Sequence, residues 1–289
     1  MKSNEIAKRL FVVATPIGNL ADISQRALDC LRDVDLVLCE NTDHSLKLLR
    51  HFGIKPKQLS KLTDHETEKD IEHYLNQCVK NGIALISDAG TPLMCDPGQK
   101  CVQMAHAAGF GVLAVPGPCA VIAALSICPF PAMPFRFYGF LQRKSNDRLQ
   151  QLDAMKDSHE ALVFYESPHR LIAMLQDCEK VFSTSRSVFV VKELTKRFEC
   201  FWHGSLGEVR QTLSDEQLLG EFVVILAGSE PKSSLGDDEK IMFELDACIK
   251  SMLDNGLSAQ TIKQILSPIT PLKKNDLYKR ILALKPHES

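Results

Sequence analysis

Between Leu10 and Ala227 short apolar runs alternate with longer amphipathic segments. Leu10–Ala14, Val34–Cys39, Ile83–Ile86 and Val112–Val115 read as strands, and Ile83–Ile86 is the short apolar run expected of a strand buried on both faces. Between and after them the periodicity predicts helices over 25–32, 44–52, 66–80, 99–108 and 119–127, with 54–65 as loop. Ser24 stands at the N-cap of the first, and Gly53 just past the end of the second. Cys128-Pro-Phe-Pro-Ala-Met-Pro134, with three prolines in seven residues, reads as a linker. Beyond it the pattern changes. Phe135–Phe140 and Phe198–His203 alternate in polarity, as antiparallel or edge strands do, whereas Ala161–Tyr165, Ser187–Val191 and Glu221–Ala227 are apolar again. Helices are expected after Arg148, from Pro168 (a residue suited to the first helical position) and from Leu206. Gly228–Glu239 is polar and reads as a second linker, and the rest of the chain is helical, resembling a small helix-turn-helix. The expected architecture is α/β, with an N-terminal α/β domain over 1–128, a second α/β domain over 135–230 and a helical extension over 237–289.

One stretch organises the rest. Ile83–Ile86 ends in Ser87-Asp88, and Gly90, Pro92, Pro97 and Gly98 then forbid regular structure until the next helix. Val112–Val115 likewise breaks into Pro116-Gly-Pro118. Loops at the carboxyl ends of parallel strands are where open α/β sheets bind ligands. An acid at a strand end among small residues suits a hydroxylated, adenosine-like ligand. An ordinary connection with Asp88 as turn former is the alternative, and the length of the loop favours the ligand.

With 289 residues, 45% hydrophobic and 24% charged, the composition is that of a globular protein with room for two domains. No apolar run reaches membrane-spanning length, and Met1–Arg9 is too polar for a secretory signal, so a cytoplasmic location is expected. The net charge of −2 leaves nucleic-acid contact to local patches. From Ser258 onward six Lys/Arg stand against two acids, which fits a nucleic-acid contact or a solvated helix face. The ten cysteines include no C-x-x-C pair, and several sit in apolar company, as reduced buried thiols do. The nine histidines show no metal spacing, and no metal is expected. Neither G-x-G-x-x-G nor a phosphate-binding G-x-x-x-x-G-K-[ST] loop occurs.

Six motifs then coincide in order: Val13-Ala-Thr-Pro-Ile-Gly-Asn-Leu20, Ser87-Asp-Ala-Gly-Thr-Pro-Leu93 with Asp96-Pro-Gly98, Val115-Pro-Gly-Pro118, Phe164-Tyr-Glu-Ser-Pro-His-Arg170, Glu193-Leu-Thr-Lys196 and Gly220-Glu-Phe-Val223. Together they resemble the tetrapyrrole methylase superfamily, and within it the branch that methylates small-subunit ribosomal RNA. The resemblance implies a two-domain fold with S-adenosylmethionine in the cleft between domains, usually as a homodimer. It implies methyl transfer to the ribose 2′-hydroxyl of a decoding-centre cytidine in 16S rRNA. It places the cofactor against Pro16, Ile17, Gly18, Asp88, Thr91, Pro92, Cys119 and Ala120. The chain departs from the family at Glu40-Asn-Thr-Asp-His-Ser45, where the usual run is Glu-Asp-Thr-Arg-His-Thr, and at Ser60-Lys-Leu-Thr-Asp-His-Glu66.

Methyl transfer from a sulfonium is an in-line displacement, so the protein mainly positions the acceptor and handles its proton. Glu40, Glu166, His169, Lys192 and Glu193 stand at strand ends, and Glu40 and Glu166 are the favoured catalytic residues. Arg143, Lys144, His169, Arg170 and Lys196 are candidate contacts to the RNA substrate; the plainer alternatives are a solvated rim for the cations, a surface ion pair for Lys196 with Glu193, and capping of the helix that begins at Pro168 for His169 and Glu166. Two other functions fit the same motifs: a methylase acting on a small molecule such as a tetrapyrrole, and a non-catalytic relative that binds the ribosome.

Overall fold

The structure is a computed structural model that describes residues 8–78, 80–213, 218–229, 235–270 and 272–284, with only the backbone over 235–244. The chain divides into two compact units, residues 1–229 and 230–289.

The first unit holds two five-stranded sheets. Strands β1 (Arg9–Val13), β2 (Leu36–Cys39), β3 (Leu59–Lys61), β4 (Ile83–Ile86) and β5 (Gly111–Val115) are all parallel, in the order β3-β2-β4-β1-β5. Side chains alternate across this sheet. Val37, Cys39, Ala84 and Ile86 pack under α1 (Gln25–Asp33) and α2 (Thr42–His51). Leu36, Leu38, Ile83 and Leu85 pack under α3 (Glu68–Asn76) and α4 (Gln99–Ala107). Both faces are therefore buried at the central strands β2 and β4, which read as continuous apolar runs, whereas the apolar run of β5 lies at an edge of the sheet with Leu113 and Ala114 exposed. Ser24 caps α1 as its sequence position predicts, and Thr67 with Asp70 forms a capping box on α3. Strand β3 falls in the stretch expected to be loop. Its three residues form a half-exposed edge strand, too short to show a period.

The second sheet comprises β6 (Phe135–Phe140), β7 (Ala161–Glu166), β8 (Ser187–Lys192), β9 (Cys200–Ser205) and β10 (Phe222–Leu226), in the order β6-β7-β10-β8-β9. Only β6 and β7 pair in parallel, and β9 lies antiparallel to β8 as its alternation predicts. Helices α6 (Ser145–Asp153), α7 (Pro168–Phe182) and α8 (Leu206–Thr212) cover one face. The other face receives Val121 and Ala124 of α5 (Ala120–Ser126), which follows β5, so α5 joins the two halves of the unit. No described helix is long and apolar enough to cross a membrane.

The second unit is a helical trio, α9 (Leu235–Asp254), α10 (Ala259–Leu266) and α11 (Lys274–Ala283), around Ile249, Ile262, Leu266, Leu277 and Ile281. Helix α9 takes in the last five residues of the stretch read as linker, of which 230–234 lie outside the described residues. Two members of the basic surplus are engaged: Arg280 pairs with Asp246, and Lys263 lies over the Tyr278 ring at 4.9 Å. Lys285 and Glu288 lie outside the described residues.

Candidate active site

The carboxyl ends of β4, β1 and β5 are neighbours, so the loops that follow them meet. Thr15 and Gly90 exchange backbone hydrogen bonds at 2.9 and 3.1 Å. The Thr15 hydroxyl donates to the Ser87 carbonyl (3.2 Å), and the Thr91 hydroxyl to the Pro118 carbonyl (3.0 Å). Gly90 lies at φ +78°, where an added Cβ would meet Ile17 Cγ2 at 3.1 Å. Only glycine lets the loop pass this closely.

These loops form one wall of a cleft of about 490 Å³, whose other wall comes from the second sheet through Phe140, Tyr165, Glu166, Val191, Leu194 and Val223. That volume suits a small-molecule site, which spans roughly 300–1,000 Å³. Two seams join the walls. Asn19 N–H donates to the Thr195 hydroxyl at 3.1 Å. Across the cleft, an added Cβ on Gly139 would come within 2.8 Å of Cys95 Sγ. Leu93, Cys95, Glu193 and Thr195, which flank these seams, are non-glycine residues at positive φ. Such strain gathers at functional sites.

Of the expected cofactor residues, Ile17, Asp88, Thr91, Cys119 and Ala120 line the cleft. Pro16 and Pro92 are buried behind it, and Gly18 lies under Lys196 and Thr195. Glu40 and Glu166 both line it. Glu166 is 2% exposed. Its Oε1 accepts from Ser167 N–H (2.8 Å) and faces Arg170 Nε at 3.2 Å, while Oε2 is buried with no hydrogen-bond partner. Burial pushes its carboxyl above the usual range, against the pull of Ser167 and Arg170.

The expected RNA contacts stand outside the lining. Arg143, Lys144 and His169 are exposed, just beyond the lining residues Phe140 and Pro168. Arg170 Nη2 donates to the carbonyls of Leu141 (2.5 Å) and Gln142 (3.3 Å), so it braces the loop that carries Arg143 and Lys144. Lys196 is spent on Glu193 (2.8 Å) and Glu221 (2.9 Å). Glu193 is held below the usual range against its burial penalty, by Lys196 and by the Glu221 N–H. At the altered run after β2, Asn41 caps α2, accepting from the N–H groups of Asp43 and His44, and Asp43 sits in the first turn, where an acid is favoured.

Asp96 lies in one of the quoted motifs but was not among the expected site residues. It lines the cleft, and burial with the nearby charges of Glu40 and Asp88 pushes its carboxyl up to about 6, against a Ser87 hydrogen bond. Burial, Asp88 and Asp64 raise Glu40 in turn, against Lys61. Five carboxylates (Glu40, Asp88, Asp96, Glu166 and Glu221) line the cleft, and among the described lining residues there is no Lys, Arg or His. Asp88 Oδ1 is also buried without a partner. Unpartnered buried acceptors in an anionic cleft with apolar walls suit a ligand that is part apolar, part hydrogen-bonding and positively charged.

A family model described as tetrapyrrole (corrin/porphyrin) methylases matches residues 9–210. The chain belongs to the tetrapyrrole methylase family. Within it, the ribosomal RNA small subunit methyltransferase I of Pseudomonas aeruginosa is 40% identical over 283 residues, covering 96% of this chain and 97% of that protein. The protein of the same name from Vibrio cholerae is 38% identical, covering 93% of each. Among solved tetrapyrrole methylases, the cobalt precorrin-4 methyltransferase CbiF superposes with a TM-score of 0.56 at 16% identity, covering 76% of this chain and 94% of its own. The uroporphyrin-III C-methyltransferase of Thermus thermophilus, complexed with S-adenyl homocysteine, gives 0.51 at 15% identity, covering 75% and 96%. These structures share the fold.

Proposed function

We propose that the chain is an S-adenosylmethionine-dependent methyltransferase of small-subunit ribosomal RNA, acting on the ribose 2′-hydroxyl of a decoding-centre cytidine. The carrying observation is similarity along almost the whole chain to proteins named ribosomal RNA small subunit methyltransferase I, where the tetrapyrrole methylase structures cover about three quarters. The cofactor sits in the cleft against Ile17, Asp88, Thr91, Cys119 and Ala120, with Pro16, Gly18 and Pro92 shaping the loops. Bound there, it supplies a methyl group activated by a sulfonium. The protein orients the acceptor hydroxyl, excludes water and removes a proton, with Glu40 and Glu166 in reach of the cleft interior. Arg143, Lys144 and His169 meet the phosphates outside the cleft, while Arg170 and Lys196 hold loops in place. The protein works in the cytoplasm as a homodimer.

The anionic lining speaks against a tetrapyrrole acceptor. A polycarboxylate would face like charges with no cation in the lining to meet it. A neutral ribose hydroxyl enters while its phosphates stay outside. The test is methyl incorporation from labelled S-adenosylmethionine into unmodified small subunits, with the nucleotide mapped. Label at a decoding-centre cytidine ribose is the expected result. Cofactor binding without incorporation would leave a ribosome-binding relative, and label only in small molecules would overturn the RNA assignment.

A further inference from the structure

The methyltransferase reading leaves one feature of the cleft unused, the crowding of acids at the ends of β2 and β4. Resting on that reading, we propose that Asp96, backed by Glu40 and Asp88, balances the positive charge of the cofactor's sulfonium and, in place of Glu40 or Glu166, takes up the acceptor's proton when that charge is lost.

Glu40 follows β2, Asp88 follows β4, and Asp96 lies in the loop before α4, all on the cleft wall. They are close enough for Glu40 and Asp88 to oppose the ionisation of Asp96. The other groups that face them relieve this only in part. Asp64 adds to the repulsion on Glu40, and Lys61, which offsets it there, is not part of the lining. Cys95 and Tyr165 are both raised by burial and stay neutral near pH 7. Ser87 contributes a hydrogen bond to Asp96 but no charge. Independently, Glu166 Oε2, on a residue 2% exposed, and Asp88 Oδ1 are buried without a hydrogen-bond partner in the same cleft.

Crowded carboxylates in a partly dry site can be relieved in two ways, by a proton or by a cation. Asp96, raised to about 6, stands where the two compete near physiological pH. During the reaction the acceptor oxygen bonds to the methyl carbon as the carbon–sulfur bond breaks. Sulfur keeps the electron pair and becomes a neutral thioether, and the hydroxyl proton passes to Asp96. The cluster thus loses one positive charge and gains another. The released product, without a sulfonium, has no such hold on the cleft.

A bound cation favours ionised Asp96, so cofactor binding expels a proton below about pH 6 and affinity falls with falling pH. The neutral thioether product does not compete with that proton. Isothermal titration of the full chain with S-adenosylmethionine and with S-adenosylhomocysteine, from pH 5.5 to 8, reads this without catalysis. The cofactor's affinity should weaken toward a limit of about tenfold per pH unit below pH 6, and the product's should change by less than about twofold. Buffers of different ionisation heat should reveal proton release with the cofactor alone. Asp96→Asn should flatten the cofactor's pH dependence, and Asp153→Asn, at an exposed acid of α6, should keep it. Parallel pH dependence for the two ligands would overturn the proposal, as would a slope retained in folded Asp96→Asn. Should that variant not fold, the wild-type comparison decides alone. Failure of both ligands to bind at any pH would overturn the methyltransferase reading instead.

Discussion

Asn19 and Thr195, 176 residues apart, are joined by a hydrogen bond of 3.1 Å from the Asn19 N–H to the Thr195 hydroxyl. The bond closes the cleft at one side, and its neighbour Gly18 makes it possible. A Cβ on Gly18 would lie 2.4 Å from Lys196 Cγ and 3.0 Å from the Leu194 carbonyl. Gly18→Ala must therefore displace Lys196 and Thr195 on the facing wall. Overpacking of this kind costs about 1–3 kcal/mol. We expect a lower melting temperature by calorimetry and, by titration, weaker cofactor binding, with Ala21→Gly on the nearby turn as a control that leaves binding unchanged.

Asp88 stands at the end of β4 with a buried oxygen that no protein group satisfies. Asp88→Ala should reduce cofactor affinity by at least about tenfold, the worth of one hydrogen bond to a charged group. Unchanged affinity in a titration would remove Asp88 from the cofactor site.

Arg170 reaches in two directions, with Nε toward Glu166 and Nη2 on the carbonyls of Leu141 and Gln142. Lysine keeps the charge but cannot make both sets of contacts. Arg170→Lys should raise the KM for the RNA substrate several-fold more than it weakens the cofactor, because the braced loop carries Arg143 and Lys144. Equal losses in both would contradict the bracing role.

Arg148 and Asp177 form a buried pair, with Nε and Nη2 of the guanidinium at 2.9 and 2.6 Å from Oδ2. Ser145 and Lys180 complete the ring of donors around the carboxylate. Removing one partner of such a pair costs about 3–5 kcal/mol. Despite its burial, Asp177 is held below the ordinary aspartate value of 3.8 by hydrogen bonds from Lys180, Ser145 and Arg148. Its contribution is therefore complete above pH 3.8 and lost as pH falls through the lower folded value. Urea unfolding of Asp177→Asn should show a large deficit at pH 7 that shrinks at pH 3.

Strands β2 and β4 of the parallel sheet, and β7, β8 and β10 at the centre of the mostly antiparallel one, were legible because strands buried on both faces write themselves as apolar runs, while β6 and β9 were legible by their alternation. Leu59–Lys61 was not, since an exposed edge of three residues carries no period. That Ile17, Asp88 and Thr91 line the cleft fits what the sequence suggested, Asp88 by its place at a strand end and Ile17 and Thr91 by the motifs that carry them. Asp96 was written in a motif yet did not stand out, because its significance lies in its closeness to Glu40 and Asp88, which is a property of the folded chain. Lys196 illustrates the converse. Its charge suggested a phosphate contact, and only the fold reveals that two glutamates already hold it.

The cleft lining begins at Ile17 and ends at Val223. A chain growing on the ribosome therefore has no complete pocket until the strand β10 has emerged. Until then the acids of the first sheet face water, and the strained loop at 193–195 has not been locked by Glu221. Every fragment that stops before that strand lacks part of the lining, so the site is completed late in synthesis.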